Sequence, residues 1–187
     1  MNGAATQSQF ELQKIKVLKG ASGIEVDFNI RREDAGTQMT DRYSKETNTF
    51  PHPDLLKAIG SLKGILVKAI GKESLYTDKV LELIKGKQKE EIEAHMNDEL
   101  EKVTVTGIAI SGIDSNRGAI ITGTYLCKNG AKIAINSPRI RFDGELFGFE
   151  GQLNEICHVI ESETYLYTLQ DKQAQASIVF GEAENER

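Results

Sequence analysis

The chain has no tryptophan, only two cysteines and only three histidines among its 187 residues. A structural zinc site needs cysteines or histidines at short spacings that bring several ligands to one place. Neither C-x-x-C nor H-x-x-x-H spacing occurs among these residues, which are His52, His95, Cys127, Cys157 and His158. We therefore predict that the protein holds no metal ion and no cofactor.

Motifs of catalysis are missing as well. The chain has no G-x-S-x-G, and the glycines of 144–151 lack the Gly-Lys-Ser/Thr ending of a phosphate-binding loop. Cys157 and His158 are adjacent, so on a helix they point about 100° apart and do not form a catalytic pair. We predict a protein without enzymatic activity. The alternative is a metal-dependent enzyme that uses carboxylates clustered around the second predicted helix, namely Glu145, Glu150, Glu155, Glu161 and Glu163.

Long apolar runs are absent. Runs such as 65–67 and 119–121 are far shorter than the roughly 20 residues that cross a bilayer. Residues 1–9 carry neither the basic region nor the apolar stretch of a signal peptide. We predict no membrane association and a cytoplasmic location, which is the bacterial host cytoplasm if the chain is phage-encoded. A reducing compartment suits the two cysteines, which we expect to be buried thiols.

Hydrophobic periodicity in the first half predicts three strands and a helix. Residues 10–19 and 38–45 are two of the strands, the second being polar and therefore an edge strand. Between them, Ile24, Val26, Phe28 and Ile30 alternate with polar residues, as in a strand with one wet face. The helix is predicted over 55–70, because apolar residues recur there at spacings of three and four. These residues are Leu55, Ile59, Leu62, Leu66 and Ile70.

The second half repeats this order. Three strands are predicted within 103–142, and Asn129-Gly130 is typical of a hairpin turn. A helix follows over 149–167, with Leu153, Ile156 and Ile160 facing the core. A shift of about 97 positions aligns the two helices, and a shift of 95 aligns Gly23 with Gly118. We predict an α+β fold with antiparallel sheet, built from a duplicated β-β-β-α unit; the alternative is chance recurrence of strands and helices.

The domain organisation follows from these boundaries. The charged segment between the halves is read as a helix or, equally, as a flexible linker. The five predicted parts are a mobile tail (1–9), the first half (10–72), a charged helical connector (73–102), the second half with a terminal strand at 176–180 (103–180), and a disordered acidic tail (181–187).

One surface stands out as a candidate binding site. Residues 55–72 contain no acidic residue, although the net charge of the chain is −5. Lysines and small residues recur at helical spacing opposite the apolar face, which would let a polyanion or a protein approach closely. A solvated helix face is the alternative. We call these residues the lysine stripe: Lys57, Gly60, Ser61, Gly64, Lys68 and Lys72.

Four runs carry a resemblance: K-I-K-V-L-K-G, H-P-D-L-L-K-A-I, V-T-G-I-A-I-S-G and N-x-P-R-I-R-F. With these runs, the chain resembles uncharacterised early-region proteins of bacteriophages, a resemblance that implies no particular activity. The duplicated unit is also faintly similar to a sliding-clamp domain, although clamps carry lysines where this chain has Glu155, Glu161 and Glu163.

These observations favour a binding or assembly protein of phage or mobile-element origin. It would act through a protein partner or as a homo-oligomer, because the acidic net charge and the few aromatic residues disfavour nucleic acid. The alternative is a DNA-linked accessory factor, sliding-clamp-like or nucleic-acid-binding, that uses Lys57, Lys68 and Lys72.

Overall fold

The computed structural model describes residues 9–34, 36–71, 97, 100–170 and 172. The fold is α+β, with one antiparallel sheet of seven strands, as far as these residues extend. The strands are β1 (Gln9–Val17), β2 (Ile24–Asp34), β3 (Thr37–Thr47), β4 (Val103–Ser111), β5 (Gly118–Leu126), β6 (Lys132–Asn136) and β7 (Ile140–Arg141).

The strand order is β3-β2-β1-β4-β5-β6. The short strand β7 pairs with the start of β5, on the same edge where β6 pairs with the end of β5. Each half therefore contributes a meander, and the two meanders meet through their first strands. The ladder between β1 and β4 is short, since it joins only 14–16 to 107–109. Both strands carry a bulge next to this ladder, between Leu12 and Lys14 in β1 and between Val105 and Gly107 in β4. A bulge bends a strand and ends regular pairing.

The helices are α1 (Pro53–Gly60), α2 (Lys63–Ala69) and α3 (Glu150–Leu169). Pro53 suits the first turn of α1, where the Nδ1 atom of His52 accepts the backbone N–H of Asp54 at 3.2 Å. The single helix predicted over 55–70 is thus two helices. The helix predicted over 149–167 is confirmed within two residues at each end.

The predicted core is confirmed in its main members. Ile24, Val26 and Phe28 are buried, whereas Glu25 and Asp27 point to the wetter face of the sheet, so the predicted register is correct. The helices supply the other buried members of the prediction, which are Leu55, Ile59, Leu62, Leu66, Leu153 and Ile160. Ile30 and Ile156 are half-buried and pack against this core.

The prediction that β3 is an edge strand is confirmed, because β3 pairs only with β2 within the described part of the chain. Cys157 is buried as expected, whereas Cys127 is half-buried. The predicted terminal strand at 176–180, both tails and most of the charged connector lie outside the described residues.

Candidate functional site

The lysine stripe is exposed where the structure describes it. Lys57, Gly60, Gly64 and Lys68 all face solvent, and Lys72 lies outside the described residues. A Cβ atom added at Gly60 or at Gly64 would meet no atom within 4 Å. The glycines therefore do not accommodate a close neighbour in the described part of this chain.

The stripe bends where α1 ends. The backbone N–H of Ser61 bonds to the carbonyl oxygen of Lys57 at 3.0 Å, and its hydroxyl donates to the carbonyl oxygen of Ala58 at 2.6 Å. These bonds satisfy carbonyl groups that the end of a helix would otherwise leave free. Glycine at position 60 favours such an ending, since it is a poor helix former.

A groove of about 1030 Å³ lies beside the bend. It opens where β1 and β4 no longer pair with each other, next to the end of β1 and the start of β4. Its floor is apolar and is shared by the strands and α1, with Val103, Val105, Leu56 and Ile59 among the lining residues. This groove is a candidate site that the sequence alone did not indicate.

Lysines surround this groove. Among the described residues, five lysines and one acidic residue, Glu101, line it. The lysines come from β1, the turn after it, α2 and β6: Lys14, Lys16, Lys19, Lys63 and Lys132. We call these five residues the groove lysines. Their concentration contrasts with the net charge of −5 for the whole chain.

Two of the groove lysines are partly neutralised by β2. The Nζ atom of Lys14 lies 2.6 Å from a carboxylate oxygen of Glu25, and that of Lys16 lies 3.8 Å from the other oxygen. The hydrogen bond to Glu25 raises the pKa of Lys14, and the same bond lowers the pKa of Glu25. The other three, Lys19, Lys63 and Lys132, form no ion pair with any described residue.

Threonines line the sheet side of the groove, at 104, 106, 122 and 124. The hydroxyl oxygens of Thr106 and Thr122 lie 3.4 Å apart, at the bulge of β4. Hydroxyl groups donate hydrogen bonds to phosphate oxygens without distinguishing one base from another. Among the lining residues that the structure describes, none is aromatic.

A second, polar cleft of about 420 Å³ lies at the other end of the β1–β4 ladder. Each of its two arginines is paired with a carboxylate. The carboxylate of Glu161 lies 3.3 Å from the guanidinium of Arg117 and accepts the backbone N–H of Leu12 at 2.8 Å. Arg31 pairs with Glu11 at 2.9 Å. The cleft thus supplies counter-charges for both of its arginines, whereas the carboxylate of Asp114, which also lines it, forms no ion pair with a described residue.

Three of the five carboxylates in the predicted acidic cluster bind other parts of the fold, whereas Glu145 and Glu155 are exposed. Glu161 binds as described above, and Glu150 accepts the backbone N–H of Phe147 at 2.7 Å, which lowers the pKa of Glu150. Glu163 lies near His52 and Asp54, with ligand atoms within 4.8 Å of one another. The ammonium group of Lys172 sits among them, 2.7 Å from Glu163 and 2.9 Å from Asp54. A lysine thus fills the place that a cation would take.

The adjacent Cys157 and His158 point apart, as the sequence indicates. Cys157 is 2% exposed, and burial raises the pKa of its thiol to about 12. The imidazole of His158 is exposed and its Nδ1 atom lies 3.8 Å from the carboxylate of Glu161. A protonated, enclosed thiol is a poor nucleophile.

Comparison of the chain with protein-family models, with curated proteins and with solved structures finds no match. Within the described residues, every helix is too short or too polar to cross a bilayer.

The sequence missed the groove lysines because no local motif unites them. Alternation along β1 places Lys14 and Lys16 on its outward face, which the sequence could have indicated. Lys63 and Lys132 line the same groove as these two lysines only because β1 pairs with β4 and α1 packs against the end of this strand pair.

Proposed function

We propose that the chain is a non-enzymatic binding protein whose groove holds the sugar–phosphate backbone of a nucleic acid. The observation that carries this proposal is the convergence, within the described part of the chain, of five lysines and one acidic residue on one groove. The composition of the chain favoured a protein partner over a nucleic acid. The groove favours a nucleic acid instead, because a local basic surface attracts a polyanion whatever the net charge of the chain.

The basic surface continues beyond the groove. Lys63 is the first residue of α2, and the exposed Lys57 and Lys68 lie on α1 and α2. An extended row of lysines fits an extended polyanion better than a small anion. Binding would release counterions from the nucleic acid, so affinity should fall as salt rises.

The ligand contacts expected here are to the backbone and not to the bases. None of the described residues that line the groove is aromatic, so these residues offer no platform for stacking on bases. Lysine and threonine side chains bind phosphates without reading sequence. We therefore expect similar affinity for oligonucleotides of different sequence.

The test is fluorescence anisotropy with labelled single-stranded and double-stranded DNA and RNA at several salt concentrations. The triple variant K19E/K63E/K132E should lose binding, and the parent should show a log–log salt slope of magnitude about 2 to 3 for three phosphate contacts. Arg42→Glu, an exposed charge reversal on β3, is the control and should bind like the parent.

A second variant separates the groove from the lysine stripe. K57E/K68E should weaken binding less than the groove triple variant, because these lysines flank the groove and do not line it. The proposal fails if the groove triple variant binds as tightly as the parent.

Self-association is the second candidate function, favoured by the edge strand β3. This strand is 11 residues long, mostly exposed and paired on one side only within the described residues. An edge of this kind is a template for pairing with another chain. Measurement of molecular mass in solution tests it, with Thr40→Pro to break pairing at β3 and Gly64→Leu to test the helix surface instead.

We also propose that the two halves derive from one duplicated β-β-β-α unit. The bulge residues Gln13 and Thr106 are 106 − 13 = 93 positions apart, and so are Ile15 and Ile108, 108 − 15 = 93. Ile15 and Ile108 are also paired with each other. This register supports a two-fold relation between the halves, as does the meeting of their first strands. Phage origin stays a proposal that rests on the sequence runs alone.

A further inference from the structure

The β1–β4 ladder has two equivalent ends. Lys14 pairs with Ala109 and Lys16 pairs with Gly107, on either side of the Ile15–Ile108 pair. Rotation by half a turn about that central pair exchanges the two strands and brings one bulge onto the other. The same rotation exchanges the polar cleft at one end of the ladder with the lysine-rimmed groove at the other.

The helices of the two halves are related by the same rotation. α3 contacts β1, whereas α1 and α2 contact β4. Buried residues recur with spacings of four, three and four in both layers, at 55, 59, 62 and 66 and again at 153, 157, 160 and 164. Lys63 directly follows buried Leu62, and Glu161 directly follows buried Ile160. Lys63 is therefore the counterpart of Glu161.

The two counterparts carry opposite charges. In the cleft, the carboxylate of Glu161 accepts the backbone N–H of Leu12, the residue before the bulge of β1, and lies beside the cation Arg117. In the groove, the residue before the bulge of β4 is Val105. There the helix presents the ammonium group of Lys63 and no carboxylate.

The N–H of Val105 faces the groove side of β4. The carbonyl oxygen of Lys102 accepts the backbone N–H of Leu126, so residue 102 directs its polar groups towards β5. Because successive residues of a strand direct their backbone groups to opposite sides, residues 103 and 105 direct theirs away from β5. Among the described residues, no side chain accepts a hydrogen bond from Val105.

We propose that a phosphate oxygen of the bound nucleic acid takes, in the groove, the position that the Glu161 carboxylate takes in the cleft. The backbone N–H of Val105 would hold it as that of Leu12 holds Glu161, and the ammonium group of Lys63, which stands on the helix where Glu161 stands, would supply the positive charge that Arg117 supplies in the cleft. Hydrogen bonds from a backbone amide and an ammonium group to an anionic oxygen are shorter and stronger than hydrogen bonds between neutral groups. This inference rests on the proposed function for the identity of its ligand.

The first test introduces a carboxylate into the groove by mutation of Lys63. Lys63→Glu should place a carboxylate beside Val105, so amide hydrogen exchange at Val105 should slow and oligonucleotide affinity should fall roughly ten- to hundredfold. Lys63→Met should lower affinity without slowing exchange at Val105. Arg42→Glu should change neither quantity.

The amide resonance of Val105 gives a readout that does not depend on the function assay. In the parent, inorganic phosphate and a short oligothymidylate should both shift this resonance in ¹⁵N–¹H spectra, and Lys63→Glu should abolish both shifts. If the oligonucleotide binds and the Val105 resonance does not move, the subsite is wrong while the proposed function stands. If phosphate shifts Val105 and no oligonucleotide binds, the nucleic-acid function is wrong.

An acidic protein segment is the competing source of an anionic oxygen. A polyglutamate peptide serves as the probe for it. If that peptide shifts Val105 at lower concentration than the oligonucleotide does, the ligand assignment is overturned in favour of a carboxylate. The expected result is that the oligonucleotide binds more tightly, because the threonines that line the groove can also donate hydrogen bonds to its phosphate and sugar oxygens.

Discussion

The carboxylate of Glu161 accepts the backbone N–H of Leu12 at 2.8 Å, and this bond attaches α3 to β1 where β1 no longer pairs with β4. Leu12 is fully buried and the side chain of Glu161 is 15% exposed, so water does not easily replace the bond. The guanidinium of Arg117, stacked 5.7 Å above the ring of Phe142, balances the charge. A side chain from a helix thus completes the hydrogen bonding of a central strand.

Glu161→Ala should destabilise the fold by about 2 kcal/mol, because it leaves a buried N–H and a neighbouring guanidinium without their acceptor. Glu161→Gln retains an acceptor oxygen and should cost less. Urea unfolding followed by circular dichroism measures both. Glu155→Ala, exposed on the same helix, is the control; a loss for Glu155→Ala equal to that for Glu161→Ala would contradict the role assigned to the Leu12 bond.

Tyr167→Phe should destabilise the fold by about 1 kcal/mol. The hydroxyl of Tyr167 donates to the carbonyl oxygen of Thr49 at 2.8 Å and lies 3.0 Å from the hydroxyl of Thr47, which ties α3 to the end of β3. Thermal unfolding measures the loss. Tyr165→Phe is the matched control on the same helix, and it should be neutral because the Tyr165 hydroxyl is exposed.

The sequence predicted the elements well because each carries its own periodicity. Alternation in β2 placed Ile24, Val26 and Phe28 in the core, and the Asn-Gly turn placed the β5–β6 hairpin. The break between α1 and α2 was missed because apolar residues keep their helical spacing through Leu62, although the helical backbone is interrupted between Gly60 and Lys63. A pattern of side chains does not record where the hydrogen-bonded ladder of a helix is interrupted.

The candidate site was predicted only in part. Lys57 and Lys68 are exposed as the helical spacing indicated, but the groove is lined by residues far apart in sequence, such as Lys16 and Lys132. Glu161 and Glu163 were read as one acidic face, whereas the structure gives them different partners, Leu12 and Lys172. Pairings of this kind follow from the strand order, which local patterns do not specify.

Two glycine substitutions should have opposite effects on stability. A Cβ at Gly107 would lie 2.3 Å from the carbonyl oxygen of Ile15, so Gly107→Ala must push β4 away from β1 and should cost about 1 to 3 kcal/mol. Gly64→Ala places its Cβ in open space within α2 and should stabilise by about 0.5 to 1 kcal/mol. Chemical denaturation of both variants tests this, and a loss of stability for Gly64→Ala would indicate a contact that this chain does not show.

The two cysteines should differ sharply in reactivity. Burial raises the pKa of the Cys157 thiol to about 12, whereas Cys127 is half-buried in the turn after β5. A thiol-specific reagent at about pH 8 should therefore modify one cysteine in the native protein and both in urea. Mass spectrometry of the modified peptides identifies the site. Fast native labelling of Cys157 would mean that α3 opens away from the sheet.

The ion pairs of Lys172 with Asp54 and Glu163 should depend on pH at both extremes. The hydrogen bond from Lys172 lowers the pKa of Asp54, so the contribution of Asp54 is present above its ordinary pKa and is lost as pH falls through the lowered value. The bonds to Glu163 and Asp54 raise the pKa of Lys172, so its contribution to stability is present below its ordinary pKa and is lost as pH rises through the raised value.

Carboxyl-detected NMR titration should give Asp54 a midpoint below the usual value of about 3.9. Lys172→Met should return that midpoint towards the usual value. Asp143 is the internal control, because its pKa is lowered by Arg141 and should not respond to Lys172→Met. An unchanged Asp54 midpoint in the variant would show that Lys172 does not engage Asp54 in solution.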